Sequence, residues 1–119
     1  MKRGVTMKKV EAVIRPEKFQ ALRVKLEEVG INGLTVSEVA GCGQQKGEQG
    51  LFRGQSFEIK LVPKVKVEMI LETEQVDEVI KIIQSICSTN QIGDGKVFVY
   101  PVEDAVRIRT GEAGVEAIL

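Results

Sequence analysis

Along this chain apolar residues alternate with polar ones in some stretches and recur every three to four positions in others. The switches between these two periods outline the elements. Val10 to Ile14 is short and rich in β-formers, which predicts a first strand. Pro16 suits the opening turn of a helix, where its missing N–H costs nothing. Phe19, Leu22, Leu26 and Val29 follow at helical spacing, with Glu17, Lys18, Gln20, Glu27 and Glu28 off that face. Gly30 can take the positive φ that ends the helix. Leu34 to Val39 predicts a second strand. Val65, Val67, Met69 and Leu71 alternate with Lys64, Lys66 and Glu68, the pattern of a half-buried third strand. Thr73 is the expected N-cap of a second helix, with Glu74 in its first turn and a stripe of Val76, Val79, Ile80, Ile83 and Cys87. Ser88 to Ile92 breaks that pattern, and Lys96 to Tyr100 predicts another strand. Val106 and Ile108, alternating with Arg107 and Arg109, predict one more short strand.

An internal repeat sets the topology. Val10-Glu11-Ala12-Val13-Ile14 and Val67-Glu68-Met69-Ile70-Leu71 match in pattern at an offset of 57, which also takes Leu22 to Val79 and Leu26 to Ile83. Two strand–helix–strand units in tandem imply an α+β, ferredoxin-like βαββαβ sandwich, with two helices over one face of a four-stranded antiparallel sheet. Residues 7–119 form that single domain and residues 1–6 are a short extension. Val97 to Tyr100 and Ala12 to Ile14 are apolar on both sides, whereas an uncovered sheet face is normally polar. A homo-oligomer that buries the free face is the expectation.

Between the second and third strands lies Gly41 to Phe57, reading GCGQQKGEQGLFRGQSF. A hairpin turns in a few residues, so a connection of this length usually carries function or is disordered. Closure entropy tolerates it: stretching a loop from about four to about sixteen residues costs only ~1.2 kcal/mol.

Composition removes several functions. Lys plus Arg and Asp plus Glu both number 17, so there is no net charge to drive bulk binding to nucleic acid or an anionic membrane. Four Phe, one Tyr and no Trp leave little for stacking bases. There is no His, the commonest general base and metal ligand. Cys42 and Cys87 lie far apart without a CxxC spacing and read as reduced thiols of a cytoplasmic protein. No apolar run approaches the about 18 residues of a membrane span, and nothing resembles a signal peptide.

The candidate chemistry is phosphate binding. In Ile92-Gly93-Asp94-Gly95-Lys96 two glycines flank an aspartate, so consecutive N–H groups can converge on an anion beside the Lys96 cation. Alone, this pentapeptide reads first as an Asp-Gly turn and nothing more. Strand periodicity puts Arg107 and Arg109 on one side, where guanidinium groups can grip phosphate oxygens bidentately. A solvated, aggregation-blocking strand edge is the plainer reading of the pair. Together the two segments point to a nucleotide phosphate site. Lys64 and Lys66 head the third strand and read as a solvated face. Gln44, Gln45 and Lys46 read as loop residues, although a Gln carbonyl can ligate Mg²⁺.

Several segments share one resemblance. Gly43-Gln44-Gln45-Lys46-Gly47, Leu51-Phe52-Arg53-Gly54, Pro63-Lys64-Val65-Lys66, Ile92-Gly93-Asp94-Gly95-Lys96 and Arg107-Ile108-Arg109-Thr110-Gly111 occur in the order found in the PII nitrogen-regulatory signal-transduction proteins. The chain resembles that family from Met7 to Glu112. The resemblance implies a non-enzymatic sensor that is a trimer, with ATP and ADP competing for clefts between subunits and 2-oxoglutarate binding beside ATP through Mg²⁺. Residue by residue, it implies that Gly93, Asp94, Gly95 and Lys96 hold phosphates, with Arg107 and Arg109 from the neighbouring subunit. Thr35, Gly43, Gln44 and Ile70 would line the adenine and ribose end and the approach to the phosphates. Gln45 would ligate Mg²⁺ and 2-oxoglutarate, Lys64 would pair with the 2-oxoglutarate carboxylate, and Lys46 and Gly47 would close over it. The long loop corresponds to the family's T-loop. Its Arg53 would meet partners such as an ammonium transporter, glutamine synthetase or a transcription regulator.

The departures matter too. Phe57 stands where many members carry a modifiable tyrosine, and Gln55 where others carry a phosphorylated serine, with Ser56 one place out of register. Cys42 replaces a commonly bulkier residue, and Asn90-Gln91 a frequent Gly-Lys, which removes one cation. Two rivals share the fold. A divalent-ion-tolerance-like trimer lacks the GDGK and RIRTG segments, and an acylphosphatase-like hydrolase would release phosphate. A nucleoside-diphosphate-kinase mechanism fails for want of a histidine.

Overall fold

The computed structural model describes residues 5–42 and 60–119. Strand β1 spans Met7–Ile14 and is followed by a 3₁₀ turn, Pro16–Lys18, that opens helix α1, Phe19–Glu28. Strand β2 is Thr35–Gly41 and β3 is Val62–Glu72. A second 3₁₀ turn, Thr73–Gln75, leads into α2, Val76–Cys87, and β4 is Gly95–Val102. All neighbours in the sheet are antiparallel, in the order β2-β3-β1-β4. This is the βαββαβ topology that the repeat predicts.

The register assigns each residue a face. Val10, Ala12 and Ile14 of β1 stand opposite Met69, Val67 and Val65 of β3, and all six are buried under the helices. Leu22 and Leu26 of α1 and Val76, Val79, Ile83 and Cys87 of α2 close that core from above. Burial holds the Cys87 thiol in its protonated form, pushing its pKa up. Fully burying side chains of this size contributes about 1.5–3 kcal/mol each.

The opposite face carries a charged ladder. Lys9, Glu11, Lys66, Glu68 and Ile70 share it with Phe98 and Tyr100. Lys9 Nζ donates to Glu68 Oε2 at 3.0 Å, lies 3.7 Å from Glu11 Oε1 and sits 5.0 Å from the Tyr100 ring centre. The hydrogen bond to Glu68 raises the pKa of Lys9.

Two local expectations are revised. Thr73 does not cap α2; Gln75 Oε1 instead accepts the Glu72 N–H at 3.0 Å at the start of the 3₁₀ turn. The Thr73 hydroxyl donates to Val5 O at 2.7 Å and its N–H to Thr6 O at 3.0 Å, which ties down the segment before β1. Nor do Val106 and Ile108 form a strand of the sheet. Val106 makes one isolated bridge to Ala113. Gly111 at φ +79 reverses the chain, and its N–H donates to Arg107 O at 2.7 Å. The hairpin returns too soon for a ladder to grow, and Ile108 is left 99% exposed.

Candidate functional site

The Gly-Asp-Gly-Lys segment forms the connection from α2 to β4, and its conformation follows from three residues with positive φ: Asn90 at 65°, Gly93 at 101° and Gly95 at 109°. Asn tolerates the left-handed value at position 90, whereas the larger values at Gly93 and Gly95 favour glycine. At Gly95 a side chain is also excluded by space, because a Cβ would lie 1.8 Å from the Val13 carbonyl oxygen.

Asp94 is the hub of this turn. Its Oδ2 accepts the N–H groups of Thr89 and Asn90 at 2.6 and 2.9 Å, and its Oδ1 accepts Arg15 Nε at 3.1 Å and the Thr89 hydroxyl. The Thr89 hydroxyl and N–H, aided by Arg15 and the Asn90 N–H, hold its carboxyl far below the usual carboxylate range. With both oxygens committed inside the turn, the side chain of Asp94 shapes the turn, and what it leaves for a ligand is backbone. The N–H groups of Ile92 and Gly93 make no hydrogen bond within the described residues.

Two further cations reach the turn's carbonyls. Arg15 Nη2 donates to Ile92 O at 3.1 Å, and Lys64 Nζ donates to Gly93 O. Arg15, Lys64 and Lys96 line a cleft of about 820 Å³ between the turn, the end of β1, the Gly41–Cys42 end of β2 and the start of β3. That volume lies within the ~300–1,000 Å³ typical of small-molecule sites. With Arg15 paired to the one lining carboxylate, Lys64 and Lys96 remain among the described residues to favour a multiply charged anion. No group of three or more His, Cys, Asp or Glu able to hold a metal occurs among the described residues.

The residues expected at the site fall into separate places. Lys64, Gly93, Asp94, Gly95 and Lys96 come together in the cleft. Thr35 stands opposite Glu68, and Ile70 opposite Lys9, towards the other end of the sheet. Six residues of strand put Ile70 about 20 Å from Lys64. Arg107 is held by Glu112 through Nη1, and its Nη2 donates to Glu116 O at 3.1 Å and Leu119 O at 3.0 Å. Arg109 is exposed on the same hairpin. No hydrogen bond or ion pair among the described residues joins either arginine to the turn. Gly43, Gln44, Gln45, Lys46 and Gly47, with Arg53, Gln55, Ser56 and Phe57, lie outside the described residues.

Arg15 and Thr89 are the residues that sequence patterning does not reveal. Arg15 only looks like the polar residue after a strand. Its meaning appears once β1 and β4 are paired with Ile14 opposite Gly95.

Comparison with known proteins agrees with the fold. Residues 7–112 match the family model described as nitrogen regulatory protein P-II. The nitrogen regulatory protein P-II of Rhodospirillum rubrum is 47% identical over 112 residues, 94% of this chain and all of that protein. The B. subtilis GlnK–ATP complex superposes with a TM-score of 0.80 at 36% identity, covering 98% of this chain and 99% of that one. Arabidopsis thaliana PII bound to citrate gives 0.78 at 39% identity, covering 97% and 92%.

Proposed function

Since the chain belongs to the nitrogen regulatory protein P-II family, whose members are regulators and not enzymes, we propose that it senses ATP and ADP at the cleft around Gly93–Lys96. With Mg²⁺-ATP bound it takes 2-oxoglutarate, and the ligands together set the conformation of the loop from Gly41 to Phe57. The observation that carries this reading is the cleft itself: Lys64 and Lys96 gathered round a two-glycine turn whose own carboxylate is paired with Arg15. The ATP complex of B. subtilis GlnK supports a nucleotide ligand, and the citrate bound to the Arabidopsis protein supports a carboxylate ligand in this family.

In this reading Lys96 and the turn's N–H groups hold phosphate oxygens, and Lys64 leaves Gly93 O to meet the 2-oxoglutarate carboxylate. Gln45 is the proposed Mg²⁺ ligand, with Lys46 and Gly47 closing over the acid and Gly43 and Gln44 lining the approach. The chain works as a homotrimer. Thr35 and Ile70 lie about 13 and 20 Å along the sheet from Lys64, and Arg107 and Arg109 sit on a separate hairpin, so one nucleotide meets all of them only where two subunits adjoin. A cytoplasmic trimer would then present Arg53 to an ammonium transporter, glutamine synthetase or a transcription regulator.

Titration calorimetry tests the site. Lys96→Ala removes a cation from the phosphates and should weaken ATP binding by about tenfold or more. Unchanged affinity would overturn the phosphate assignment.

A further inference from the structure

Arg15 is assigned no role by the family resemblance drawn above, yet among the described residues it makes two side-chain hydrogen bonds to the turn, where Lys64 and the Thr89 hydroxyl make one each. Its guanidinium bonds a side chain and a backbone carbonyl at once: Nε to Asp94 Oδ1 at 3.1 Å and Nη2 to Ile92 O at 3.1 Å. These two acceptors bracket Gly93, and a Cβ at Gly93 would itself come within 3.3 Å of Arg15 Nη2. The guanidinium therefore spans the tip of the turn from the end of β1, one residue beyond the strand that pairs with β4. Its side chain is 27% exposed and that of Asp94 22%, so the pair is largely shielded.

We propose that Arg15 is the positioning residue of this turn: it and Asp94 act as one staple that fixes the direction of the backbone N–H groups from Ile92 to Gly95, and so sets affinity for a nucleotide's phosphates without touching them. This rests on the nucleotide reading above. A planar fork with donors at fixed angles makes both bonds together, whereas an ammonium group is a point charge and makes at best one of them well. Asp94 depends on the same unit, since its remaining donors, Thr89 and Asn90, lie on the α2 side of the turn and cannot tie it to β1.

The charge-preserving variant separates positioning from simple attraction. Arg15→Lys keeps the positive charge in the cleft but loses the two-point bond, and should weaken ATP binding about tenfold. Asp94→Asn should cost a similar factor, and the double variant little more than either alone, as expected of residues that act together. AMP, with a single phosphate to register on the turn, should lose less than ATP. Native ATP affinity in Arg15→Lys, or losses that multiply in the double variant, would overturn the staple. Amide hydrogen exchange keeps the two readings distinct. Arg15→Lys should accelerate exchange at Thr89 and Asn90, whose N–H groups Asp94 accepts, in the ligand-free protein, while α1 and α2 stay unchanged. Should the native chain bind no ATP, the sensing reading fails, while unaltered exchange at the turn would sink the staple on its own.

Discussion

At the scale of single residues, the turn around Asp94 shows how charge is used to build geometry. Asp94 is ionised because four donors converge on it, led by the Thr89 hydroxyl. The sign of the resulting linkage is fixed. A carboxyl whose folded pKa lies below its ordinary value of about 3.9 contributes stability that is complete above that value and is lost as the pH falls through the folded one. Thermal melting followed from pH 6 downward should therefore show stability falling below about pH 4. Asp94→Asn should have a shallower acid limb, and identical limbs would contradict the hydrogen-bonded carboxylate.

Among the elements, strands and helices were legible because burial enforces their periods. Val65, Val67, Met69 and Leu71 alternate in the sequence and are all buried in β3. Leu22, Leu26, Val79 and Ile83 form the stripes that face the sheet. What patterning misjudged was the use of polar groups. Thr73 reads as an N-cap from its place before a helix, yet its hydroxyl finds Val5 O, a partner 68 residues away that no local rule identifies. Arg107 and Arg109 read as one edge of a strand, but the reversal at Gly111 gives Arg107 to Glu112 and to carbonyls of the last turn. The site divides the same way. Gly93, Gly95 and Lys96 stand out as a motif, while Arg15 acquires its role only through the β1–β4 register. Thr73→Val deletes the bond to Val5, worth about 1 kcal/mol. It should speed amide exchange in residues 5–8 while leaving α2 protected, and equal protection throughout would show that the tether is idle.

For the whole molecule, the sheet's free face decides how copies can meet. Expected from sequence to be apolar and in need of cover, it combines Phe98 and Tyr100 with a ladder of Lys9, Glu11, Lys66 and Glu68. If the proposed trimer buries this face, Glu68→Lys strips Lys9 of its 3.0 Å partner and leaves three lysines against one glutamate. Sedimentation should then show dissociation to smaller species, and an intact trimer would place the interface elsewhere. The ladder also bears on self-recognition. Where a trimer gathers the same face of each copy about its axis, any net charge there would be repelled by its copies. Although Lys64 and Lys96 at the cleft end share the face, its middle, with two lysines against two glutamates and Lys9 already met by Glu68 in the same chain, is neutral towards itself. It needs no complementary partner to cancel it, and a second molecule of the same chain is as welcome as any other.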